Sequence, residues 1–128
     1  RNARLNAIET DTGVSAVLKI YDLTAGAPAN CAAAITGTIL ATINLPSDYF
    51  NAASGGSITK LGTWSDSSAD AAGTADFFRL FKTDGTTCQM QGTVTATSGG
   101  GDMELDNTSI AAGQTVTVTT FTLTDNNA

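Results

Sequence analysis

Histidine is absent from this chain, and with it the base that a Ser–His or Cys–His nucleophile requires. The nearest approach to a catalytic spacing is SITK at 57–60, which matches the Ser-x-x-Lys pattern of penicillin-recognising enzymes. In those enzymes the motif opens a helix inside a much larger domain; here it falls in a β-patterned stretch and reads as a chance match. DMELDN at 102–107 alternates Asp102, Glu104 and Asp106 as a calcium loop does, but Asn107 stands where that loop needs Gly and Gly113 where it needs Glu. A solvated strand face is the expectation there. Asp66, Asp70 and Asp76 lie near Trp64 and are the right residue type for paired-carboxylate sugar hydrolysis, in a chain with little length left to build a deep cleft. Trp64, Tyr21 and Tyr49 could form a flat sugar-stacking platform, although such rings are more often core or core-edge residues. Cys31 and Cys88 are too few and too far apart for a disulfide framework. Two small buried thiols are expected, with a single bridge as the alternative that geometry must settle. A zinc site would need two further carboxylate ligands. The residue types imply no enzyme, no catalytic residue, no cofactor and no metal.

Composition points the same way. The chain has 128 residues, 41% of them hydrophobic and 14% charged, enough for a single core and poor in the charges that long solvated helices carry. The formal charge is −6, and the six cations are spread along the chain. Such a chain offers nucleic acid no basic footprint. No apolar run approaches the roughly 20 residues of a membrane span, so no membrane partner is expected.

The elements that would position these residues are mostly strands. In "FFRLFKTDGTTCQMQGTV", 77–94, apolar residues flank Arg79 on both faces and Asp84-Gly85 interrupts the run, which predicts a central strand and a tight hairpin. Residues 15–22 form a first strand, and 38–46 alternate with Ile39, Ala41, Ile43 and Leu45 on one face. Between them the small-residue stretch "LTAGAPANCAAAITG" is long enough to cross to another sheet. Tyr49 and Phe50 pin a turn-rich connection, and 98–101, SGGG, reads as a flexible tip. Met103 and Leu105 point inward. In "TVTVTTFTLT" strict alternation puts Val116 and Val118 on one face and Phe121 and Leu123 on the other; a one-residue bulge near Thr119-Thr120 would unite them. Without it the strand would be buried on both sides at different points, as when a strand passes from one sheet to the other. About eight short strands predict an all-β, single-domain β-sandwich or jelly-roll-like fold. Only residues 1–13 are helical, with Leu5 and Ile8 three apart and Gly13 as a stop. That piece is expected as an arm on a 14–128 sandwich, its contacts made by Arg1, Arg4, Leu5 and Ile8.

The succession "RLNAIETDTG", "LKIYD", "PANCAAA", "GTILATINLP", "NAASGGS", "GTW", "AGTADFFRLF", "GTTCQMQGTV", "DMELDNTSIAAGQTVTVTTFTLT" resembles a family of small β-rich structural proteins of tailed bacteriophages and prophages. In size and composition these are similar to the capsid decoration, or cement, proteins of icosahedral heads. The resemblance implies a non-enzymatic virion protein on the capsid exterior, assembled in the host bacterial cytoplasm. Its partner would be the major capsid protein, and it would form a homo-oligomer, dimer or trimer. Rival readings are a neck, tail or fibre component, and a carbohydrate-binding module on the virion surface. The shared motifs are turns and strands, so the resemblance assigns no site residue.

Overall fold

Apolar residues crowd both faces of the chain at 77–81, and the fold is built round that stretch. In the computed structural model, which describes residues 2–23 and 26–124, the chain begins with α1 (Asn2–Thr12) and β1 (Val17–Leu23). It continues through β2 (Gly37–Asn44), β3 (Ser57–Thr59), β4 (Ser65–Asp66) and β5 (Gly73–Thr74). It then runs through β6 (Phe77–Phe81), β7 (Cys88–Ala96), β8 (Met103–Leu105), β9 (Ser109–Ile110) and β10 (Val116–Thr124). Eight strands make one mixed sheet in the order β2-β1-β6-β7-β8-β10-β3, with β4 also pairing β10; β5 and β9 make a small second sheet. The fold is all-β and sandwich-like with a short amino-terminal helix, as the sequence implies.

All five residues of β6 are buried, and β1 and β7 pair with it on either side. Phe78 and Leu80 enter the core beside Leu18, Ile20 and Ile43, while Phe77, Arg79 and Phe81 alternate onto the outer face. The Phe78 ring meets Phe121 edge-on, with centroids 5.4 Å apart. Phe121 in turn contacts Phe50 and Trp64, extending an aromatic cluster through the interior. The β6–β7 hairpin closes at Asp84-Gly85, where Asp84 Oδ1 accepts the N–H groups of Thr86 and Thr87 at 2.8 Å each.

Of the two alternatives open for the last strand, the bulge is the one present: Val118 faces Leu105, whereas Thr120 faces Glu104, so Thr119 is the extra residue. Val116, Val118 and Phe121 thereby share the core, and Leu123 packs against it. A second bulge overturns the expected alternation of β2. Ile20 pairs with Ala41 but Tyr21 pairs with Ile39, so Leu40 and Ala41 are both buried and Ile39 is turned out to 37% exposure.

Two connections differ from their sequence reading. β1 and β2 are antiparallel neighbours, so the small-residue stretch between them returns to the same sheet and lies back over its outer face. Cys31 on that stretch is bonded to Cys88 at the start of β7, with Cα atoms 5.5 Å apart across a separation of 57 residues. The expectation of two free thiols is thus corrected, because the returning loop brings the two Cys residues together. Chain-entropy reasoning gives a bridge of this span about 4 kcal/mol of stabilisation.

The SGGG segment is packed along a defined path. β7 and β8 are parallel, with Val94 opposite Met103, although parallel neighbours normally need a crossover of a dozen or more residues. The short connection succeeds by doubling back against Thr95. A Cβ on Gly101 would stand 2.8 Å from Thr95 Cγ2, and one on Gly99 would stand 2.7 Å from Thr95 Cβ. Gly101 N–H donates to Thr95 Oγ1 at 3.0 Å, and Asp102 Oδ2 accepts Thr93 N–H at 2.9 Å.

Phe78 is 2% exposed at the centre of this sheet. Truncation to Ala is expected to cost about 3–5 kcal/mol, read as a lowered midpoint in urea titration. A loss under about 1 kcal/mol would contradict its place in the core.

Candidate functional site

The amino-terminal segment holds every residue expected to bind a partner, and it folds as the helix α1. Gly13 ends it with φ of +93°, and the Gly13 N–H closes the last turn on Glu9 O at 2.9 Å. Leu5 is 4% exposed and belongs to the core cluster, and Ile8 is half-buried against that cluster. Leu5, expected on an arm outside the core, is therefore corrected to an anchor of the helix on its own domain. The physical reason is that a short helix with two apolar side chains gains most by burying them at once. Arg4 is exposed; Arg1 lies outside the described residues.

Polar residues complete the docking, a role that apolar periodicity does not reveal. Glu9 Oε1 accepts the N–H groups of Tyr49 at 2.8 Å and Phe50 at 3.3 Å, and Asn6 Oδ1 accepts that of Ala53 at 2.8 Å. The helix thus satisfies outward N–H groups of residues 49–53, whose inner side pairs with β3 through Asn51 N to Thr59 O and with the residues just after it through Leu61 N to Tyr49 O. Tyr49 Oη donates to Gly13 O at 2.8 Å. Burial pushes this phenol up to about 12; a hydrogen bond with Thr12 opposes that rise and the Glu9 charge adds to it.

The far end of α1 is tied to the β6–β7 hairpin. Asp11 accepts a hydrogen bond from Gln89 Nε2 and lies 3.7 Å from Lys82 Nζ, and Thr83 Oγ1 donates to Val14 O. Beside this junction is an open groove of about 390 Å³ lined by Glu9, Thr10, Gly13, Val14, Ser47 and Asp48. Val14 stands 64% exposed at its rim.

The other residues singled out for chemistry serve the backbone. Asp66 Oδ2 accepts Thr42 N–H at 3.1 Å and Asp70 Oδ2 accepts the Thr42 hydroxyl at 2.9 Å, so these two carboxylates meet on one residue of β2. Asp76 is engaged elsewhere, accepting Leu23 N–H at 3.1 Å. Glu104 accepts from Thr120 Oγ1 and Gly100 N, and the Thr120 hydroxyl is the main cause of its lowered pKa. Asp102 and Asp106 likewise accept backbone N–H groups. No cluster of three potential metal ligands occurs among the described residues. Lys60 Nζ donates to Gly62 O at 2.6 Å, and Ser57 Oγ faces Thr124 Oγ1. Trp64, Tyr49 and Tyr21 are buried, as the core reading of these rings expects, so they form no surface platform.

No family model, curated protein or solved structure matches the chain.

Two outcomes follow for the helix. Leu5→Ala is expected to lower stability by about 2–5 kcal/mol, and Glu9→Ala by about 1–3 kcal/mol because buried N–H groups lose their acceptor. Urea titration measures both; values near zero would mean that the helix is not docked. Tyr49 adds a pH signature. Its protonated form is favoured in the fold, so the contribution is complete below the ordinary tyrosine pKa of 10.0 and is lost as pH rises through about 12. Phenolate absorbance should show both tyrosines titrating above 10.0, Tyr49 at about 12, with a parallel loss of stability.

Proposed function

We propose that this chain is a non-enzymatic structural protein of a tailed-phage virion, a decoration protein that binds and stabilises the major capsid shell from outside. The observation that carries this reading is how the acidic side chains are used. Asp22, Asp66, Asp76, Asp84, Asp102 and Asp106 each accept a backbone N–H and fix a turn or strand end. Groups engaged in this way rigidify a surface; they are not arranged to exchange protons with a substrate. The succession of segments that resembles phage structural proteins supplies the virion assignment. The Cys31–Cys88 bond supports residence on the outside of a particle, where disulfides persist.

Within this reading the exposed side of α1 is the contact surface, with Arg4 facing outward from a protein of net charge −6. A local cation on an acidic body is suited to an acidic patch on the shell, and weak contacts repeated round a symmetric lattice add up to firm attachment. The deciding measurement is the number of copies per particle, by quantitative mass spectrometry of purified virions. Decoration requires a copy number that scales with the shell subunits. A count of a few per particle would move the protein to the neck or tail, and absence from the particle would end the proposal. On undecorated heads Arg4→Glu is expected to reduce occupancy without loss of β-sheet circular dichroism.

A further inference from the structure

The stretch between β1 and β2 lies over the outer face of the central hairpin, and its attachments are unusual in kind. No residue from 26 to 36 belongs to the buried core. Pro28, Cys31, Ala33 and Ile35 are half-buried and the rest are exposed. What holds the stretch is a short set of bonds to β6 and β7. Arg79 Nη2 donates to Asn30 O at 3.1 Å and to Ala33 O at 2.7 Å, Gln91 Nε2 donates to Pro28 O at 2.9 Å, and Cys31 is bonded to Cys88. Gln91 also accepts from Arg79 Nε at 3.0 Å, so the two polar anchors act as one unit. Beneath them Arg79 is 6% exposed, on the same face as Phe77, Phe81 and Tyr21.

We propose that residues 26–36 form a redox-latched strap, closed over Arg79 by the Cys31–Cys88 bond and opened when that bond is reduced. The argument is a comparison of terms. A Gly-, Ala- and Pro-rich stretch that buries no core side chain has only a few hydrogen bonds to set against the entropy of being ordered. The disulfide supplies the remainder by limiting how far Cys31 can move from β7. Without it the carbonyls of Asn30 and Ala33 exchange Arg79 for water at small net cost, because each hydrogen bond given up is replaced by one to solvent. The sheet itself has other support: β6 pairs with β1 and β7, and the aromatic cluster lies on its opposite face. Reduction therefore releases the strap and leaves the core folded.

The chemistry is thiol–disulfide exchange. A dithiol reductant breaks the Sγ–Sγ bond, each cysteine sulfur gains one electron and one proton, and the reductant becomes its cyclic disulfide. Oxidised glutathione reverses the step, taking up the same electrons and protons as it is cleaved to two thiols. The inference does not depend on the virion reading.

The test is hydrogen exchange with mass spectrometry on the full chain in three forms: oxidised, reduced with dithiothreitol, and the Cys31→Ser/Cys88→Ser double variant. On opening, amides at 26–36 are expected to exchange at least about tenfold faster in the reduced and variant forms, while those of β10 keep their protection. Trp64 fluorescence should be unchanged, and oxidised glutathione should restore slow exchange in the reduced wild type alone. Unchanged exchange at 26–36 would show that Arg79 and Gln91 hold the strap unaided, and would overturn the proposal. Acceleration at 26–36 in step with β10 would also overturn it, by making the disulfide a global staple.

Discussion

A sheet ends in two edges, and the backbone N–H and C=O groups along them must find partners; most of this structure is arranged to meet that constraint. At one end, β2 presents its free side to residues 66–70. Asp70 N–H donates to Leu40 O at 2.7 Å, and Asp66 accepts Thr42 N–H. Because β4 also pairs with β10, this contact brings the beginning of the sheet against its far end and closes the layers round the core. At the other end, residues 49–53 cover β3, and α1 covers residues 49–53 with Glu9 and Asn6. The helix therefore does what a further strand would do, using side-chain oxygens where a strand would offer carbonyls. Its short apolar stripe is sufficient because only one row of donors has to be met.

Local periodicity was informative wherever a strand's neighbours respect its alternation. The double-sided burial of 77–81, the turn at Asp84-Gly85, the inward Met103 and Leu105, the helix stop at Gly13 and the bulge at Thr119 could all be read from spacing. Each reflects a rule that acts within a few residues: pleat, turn chemistry, or an offset between two apolar pairs. Ile39 departs from its sequence pattern because the bulge that turns it outward is set by pairing with Tyr21, a partner fixed by the sheet. The Cys31–Cys88 bond and the docking of Leu5 were out of reach for the same reason. Each depends on where a loop returns, and residue types alone do not contain that. For the candidate site, position was legible but role was not: Leu5 and Ile8 mark the helix, yet it is Asn6 and Glu9 that explain why it sits where it does.

Arg79 shows how a charge can stay inside such a domain. A buried guanidinium is costly unless its donors are met, and here carbonyls of the strap and the Gln91 amide meet them. The same bonds answer the opposite problem, since the strap's carbonyls have no strand beside them. A rigid fork of donors suits two carbonyls at once better than an ammonium would. Burial raises the pKa of Tyr21 while the Arg79 charge opposes the rise, which places the tyrosine within the electrostatic reach of the strap anchor.

The helix and the strap meet at one place. Cys88 opens β7 and carries the strap; Gln89, the next residue, donates to Asp11 of α1, and Lys82 across the hairpin mouth pairs with the same carboxylate. Order at this mouth is shared, because fraying of residues 82–89 would loosen both attachments together. The exposed ion pair adds little to this order. The covalent bond at Cys88 and the hydrogen bond at Gln89 carry most of it, from adjacent residues of one strand.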